Sequence, residues 1–167
     1  MNAVRRLTFI SLLTASALTA GLIESRFPLP FPGMRLGVAN IFILIALKTS
    51  GPADAAAVAV MKLALSFMFT GNAIAALCSA GGHACSLPVI VALYKLFPGD
   101  LSTPAISTAG AFAFNFGQVA AIAMSLYTPG IFAYLPPLLL AASVTGFSVG
   151  CAAEAVSKRL EVIKKAA

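Results

Sequence analysis

"RRLTFISLLTASALTAGLI", residues 5–23, can be read in two ways, and the choice decides the fold. Two arginines, an apolar run and then small residues is the order of a secretory signal peptide. The apolar stretch, however, continues from Leu7 to Ile23, long enough to cross a hydrocarbon core of about 30 Å. The rest of the chain is equally oily: 60% hydrophobic and only 10% charged over 167 residues, against about 25% charged in soluble domains. Residues 5–23 therefore read as the first of several spans rather than as a leader to be cleaved.

Working outward, Pro and Gly divide the chain into six apolar segments, at 7–23, 36–49, 54–70, 73–95, 104–127 and 131–156. No segment alternates as a barrel strand does, and open sheet edges cannot face lipid. The expectation is an all-α integral membrane protein: one domain, 1–167, built as a six-transmembrane-helix bundle whose second helix is short. The net charge of +6 reads as topology. With the N-terminus in the cytoplasm, Arg5, Arg6, Lys48, Lys95, Lys158, Arg159, Lys164 and Lys165 all fall inside, Arg26 and Arg35 outside, and Lys62 within a span. Both termini are then cytoplasmic, and the protein is a multi-pass component of the cell's inner or plasma membrane, with lipid and no nucleic acid as a partner.

Polar groups at membrane depth need a reason, because a charge there costs about 2.5–3.5 kcal/mol. Lys62 lies mid-span with Ser66 and Thr70 on its face; it reads either as a snorkelling lysine or as a cation for a ligand. Asn115 and Gln118 are one turn apart on the fifth span, and Asn40 follows Gly37; each reads as helix–helix glue or as a ligand contact. Arg35 follows the Pro-rich run "FPLPFPGM", Phe27 to Met34, on the outer side. Glu24 ends the first span and is a candidate ion-pair partner for Arg26 or Arg35. Small residues form rows at Ser11, Ala15 and Thr19, at Ala17 and Gly21, and at Ser143, Gly146 and Gly150. Such rows let helices approach closely, within the bundle or against another membrane protein.

Other chemistry is sparse. Cys78, Cys85 and Cys151 read as small buried hydrophobes. Cys85 lies two residues from the lone His83, too few ligands for a metal site without a carboxylate. There is no phosphate loop with a following lysine, and Asp54 and Asp100 stand apart rather than as an Mg²⁺-holding pair. An enzyme is not expected, nor a cofactor.

"PGMRLGVANIFIL" at 32–44, "SAGG" at 79–82, "STAGAFAFNFGQV" at 107–119 and "YLPPLLLAASVTGFSVG" at 134–150 together resemble, in order, the blocks of the heptaprenyl diphosphate synthase component I family of the Gx transporter group. That family is similar to the S components of energy-coupling factor (ECF) transporters. The resemblance implies an ECF S-component-like fold with an outer-side pocket, an outer lid loop at about 24–35, and a first-helix small-residue row that docks a transmembrane coupling subunit driven by separate ATPase subunits. The family commonly has histidine where Phe114 stands, and often arginine where Lys62 stands. On this reading Arg35, Asn40, Lys62, Asn115 and Gln118 form the substrate site, and the substrate is a small amphipathic anion such as a vitamin or metabolite. The alternative is an accessory membrane subunit of prenyl diphosphate or quinone biosynthesis.

Overall fold

A computed structural model describes residues 3–26 and 37–166. Six α-helices follow one another: α1 Ala3–Glu24, α2 Val38–Ser50, α3 Pro52–Thr70, α4 Ala73–Leu96, α5 Thr103–Leu126 and α6 Leu135–Ala166, the last preceded by a 3₁₀ turn, Pro129–Tyr134. No strand occurs among the described residues. Five of the helices are long and apolar enough to cross a membrane, and α2 is the short one.

The boundaries follow from local chemistry. Gly37 (φ 78°) and Gly51 (φ 103°) bracket α2 in left-handed conformations that a side chain would strain. Pro52 opens α3, where its missing N–H is not needed. Asn72 caps α4 by accepting the Ala75 N–H at 2.9 Å, and Ser102 caps α5 through the Ala105 N–H. The sixth helix departs from the expected 131–156. Residues 129–134 take a 3₁₀ turn, and Pro136 and Pro137 fall in the first turn of α6, where proline is tolerated. At its far end α6 runs on through good helix formers that include the i,i+4 pair Glu154–Lys158 (2.8 Å).

The bundle has two unlike ends. At one, the Arg6 Nε donates to both oxygens of Asp54 (3.1 and 2.9 Å), tying the start of α1 to the start of α3. Asp54 is thus bound to an arginine rather than standing apart. Close by, Lys48 near the end of α2 donates to the Thr103 hydroxyl at the start of α5 (2.9 Å). The apolar core is centred here, and α2 is its axis: Ala39 and Ile43 through Leu47 are each at most 3% exposed. A helix buried on every side in this way is apolar all round. We call this the closed end. The other, the open end, is where α1 and α3 finish and α2 and α4 begin.

Small residues close the α4–α5 and α5–α6 seams. A Cβ on Gly81 would lie 2.6 Å from the Gly117 carbonyl oxygen, and one on Gly82 within 2.5–2.7 Å of the Phe114 ring. Gly146 and Gly150 abut Thr108 and Pro104. Of the sixth-helix row, Gly146 and Gly150 therefore pack within the bundle, whereas Ser143 is exposed. On α1 the rows separate: Ala17 is fully buried, whereas Ser11, Ala15 and Thr19 face outward.

Candidate binding cavity

A cavity of about 510 Å³ opens among all six helices, within the usual range for small-molecule sites. Its mouth lies at the open end, beside Ser25, Thr70 and Asn72, and it descends between α2, α3, α4, α5 and α6. Three of the residues singled out from sequence line it: Asn40, Lys62 and Asn115. Lys62 comes from the middle of α3 and is 6% exposed. Its side chain passes Gly21, where an added Cβ would stand 3.5 Å from the lysine Cε; the small residue leaves the ammonium a path toward the mouth. Ser66 and Thr70 continue up the same face of α3, as the spacing predicts.

Asn115 has a double role. Its Nδ2 donates to the Leu138 carbonyl at 3.3 Å, binding α5 to α6, while the residue still fronts the cavity. Gln118 is buried but is not part of the wall. Three residues at about 100° each turn it some 60° away from Asn115, enough to point it elsewhere. Arg35 and most of the expected lid, through residue 35, lie outside the described residues.

Glu24 is used differently from an ion pair. Its carboxylate accepts the N–H groups of Gly37 (2.8 Å) and Val38 (3.2 Å), capping α2 at the cavity mouth. A carboxylate there satisfies orphan amides and complements the positive end of the helix dipole.

The residues that sequence reasoning passes over are on α4. His83 is buried on the cavity wall, with its ring edge-on to Phe114 (centroids 5.1 Å apart, 76° between planes). An imidazole thus stands beside position 114, supplied by α4 rather than α5. Ser79, Ser86 and, from α5, Ser107 complete a hydroxyl-bearing wall. The signal is present as period: 79, 83, 86 and 90 share one helical face. The cysteines do not follow it: Cys78 is buried, Cys85 half-buried and Cys151 exposed. No cluster of three or more metal-ligating side chains occurs among the described residues.

A cation, three amides, an imidazole, several hydroxyls and, at the mouth, the Glu24 carboxylate thus converge on one pocket. Compared with known families, residues 13–156, from the middle of α1 well into α6, match the model of heptaprenyl diphosphate synthase component I. The chain belongs to that family. Searches of curated proteins and of solved structures returned no match. Within the heptaprenyl diphosphate synthase component I family, the matched region contains every residue on the described cavity wall.

Proposed function

We propose that this protein is a substrate-capture subunit for membrane uptake, working as ECF S components do with separate coupling and ATPase subunits. The observation that carries the reading is Lys62: a buried lysine on the wall of a ligand-sized cavity. Intramembrane ionisable residues mark ligand or ion pathways. The head of the ligand is a carboxylate or phosphate set against the ammonium, and its body lies along Leu44, Leu87 and Ile90. The N-terminal amides of α2 do not compete for that head, because Glu24 already holds them.

In this reading the open end faces outward and the closed end the cytoplasm, where Arg6, Lys48 and Lys95 satisfy the positive-inside rule. Cysteine labelling in intact cells tests the orientation: a cysteine at Thr128 should react from outside and one at Gly99 should not. Reaction of the latter overturns it. The exposed row Ser11, Ala15 and Thr19 on α1 is the docking face for a coupling subunit.

The family's name favours a second reading, an accessory subunit of prenyl diphosphate synthesis. Purification with native contents followed by mass spectrometry separates the two. A retained small anion supports capture; a retained soluble synthase with an empty cavity supports the second reading.

A further inference from the structure

The cavity is deeper than an anion at Lys62 requires. On α4 its wall runs as one stripe from Asn72 to Ile90, a rise of about 27 Å. On α5 it reaches down to Ser107, five residues from the cap at Ser102 and close to the closed end. A volume of about 510 Å³ drawn out over that depth suits an elongated molecule lying lengthwise.

Two hydroxyls stand below its mouth at different depths: Ser86, ten residues from the end of α4, is about level with Lys62, and Ser107, four from the start of α5, is about 9 Å lower. Ser86 and Ser107 are 4% and 5% exposed, line the cavity, and have no side-chain hydrogen bond among the described residues. Their neighbours behave otherwise: Thr108 and Thr145 return their hydroxyls to the carbonyls of Pro104 and Ala141 (2.8 and 3.1 Å), the ordinary way to satisfy such a group in a helix. Around the two serines the wall is apolar, with Leu44, Leu87, Ile90 and Val149. Buried hydroxyls in such surroundings are costly unless something pairs with them. His83 stands one turn above Ser86, but below that level no ionisable side chain lines the cavity among the described residues, so the group that Ser107 receives is neutral.

Resting on the capture reading above, we infer that the ligand is two-ended: an anionic head at the level of Lys62, a slim apolar body that passes Ser86, and a neutral hydrogen-bonding group at the far end received by Ser107. Lys62 lies ten residues from the start of α3 and Ser107 four from that of α5, so the two levels are about 9 Å apart along the bundle, with the reach of the lysine to add.

The probes are decanoate and 10-hydroxydecanoate, which differ only in a terminal hydroxyl, titrated calorimetrically against the full chain in nanodiscs with empty nanodiscs as the blank. The hydroxy acid should bind about fivefold to tenfold more tightly, the worth of one or two neutral hydrogen bonds. In both Ser107→Ala and the Ser86→Ala/Ser107→Ala double variant the preference should vanish while decanoate affinity is unchanged; removing hydroxyl oxygens leaves the helix packing intact. Equal affinities in the native chain, or a preference that survives in the double variant, overturns the two-ended ligand and leaves anion capture standing. Probes that bind equally well to Lys62→Met overturn the capture reading itself, and binding of neither probe overturns both.

Discussion

The two ends of the bundle are made of similar amino acids and do opposite things with them. At the closed end, Ile45 to Leu47 of α2 form one buried apolar cluster with Ala55, Val58 and Ala59 of α3 and Ala153 of α6. At the open end, the same helices diverge around Lys62, Asn40 and the α4 stripe. Lipid tails are as apolar as leucine, so burying an apolar side chain in a membrane protein gains little by transfer; close packing and hydrogen bonds hold the helices together. The closed end supplies both, through its core and through the Arg6–Asp54 and Lys48–Thr103 ties. That concentration of contacts is what lets the other end stay hollow. Stability and binding should therefore be separable by position.

The sharpest break would come from Leu47→Ala, a cavity cut into the axis of the packed end. It should cost about 2–3 kcal/mol, the lower part of the range for core truncations because the transfer contribution is small here. Melting temperature in detergent should fall while ligand affinity per folded molecule holds. A parallel loss of affinity would mean that the two ends are not independent. Next in size, Ala17→Leu should destabilise by about 1–3 kcal/mol through overpacking, since Ala17 is fully buried. Ala15→Leu, on an exposed face of the same helix, should change the melting temperature little yet block assembly with a coupling subunit. Equal destabilisation by the two would remove α1 as a docking face.

Glu24→Gln removes the charge of the α2 cap and one of its two acceptors, since an amide nitrogen cannot accept the second backbone N–H. The expected cost is about 1 kcal/mol, read as a modest drop in melting temperature. Smallest in stability is Lys62→Met, predicted to leave melting nearly unchanged while abolishing anion binding. A large stability loss with affinity intact would assign the lysine to a structural network and return the cavity to packing.

Much of the architecture is legible in the sequence because its signals are local and strong. Proline and glycine punctuation places five helices within a few residues, and the dense apolar runs leave no alternative to helix. The sixth differs from expectation at both ends: its entry depends on a 3₁₀ turn, and its exit runs through a charged stretch that hydropathy scores as finished. The cavity is legible where a residue breaks an apolar context, as Lys62 does. It is not legible where the decisive fact is rotational. Asn115 and Gln118 look equivalent by spacing, and only the packing of α5 decides which one fronts the pocket. Ser79 and Ser86 escape notice, and His83 is weighed only as a metal ligand beside Cys85, because serine and a lone histidine are common in packed helices and nothing in sequence says that their face is unfilled. Glu24 resembles an ion-pair partner because its true partners, two backbone amides beyond a loop, carry no side-chain signature.

The shortness of α2 has a consequence for how the protein is made. Thirteen residues rise about 20 Å, some 10 Å less than the hydrocarbon core. Residues 43–47 of that helix are enclosed by neighbours on every side. A segment of this length is a poor stop signal for the insertion machinery, and its stabilising surroundings are other helices rather than lipid. It is expected to enter the bilayer together with α1, as a hairpin whose two arms are clasped by the Glu24 carboxylate, and to reach its final depth only when α3 and α6 close around it. Biogenesis, more than the finished structure, is then the stage at which a lesion in α2 would be felt first: as degraded chain rather than as a weakened protein.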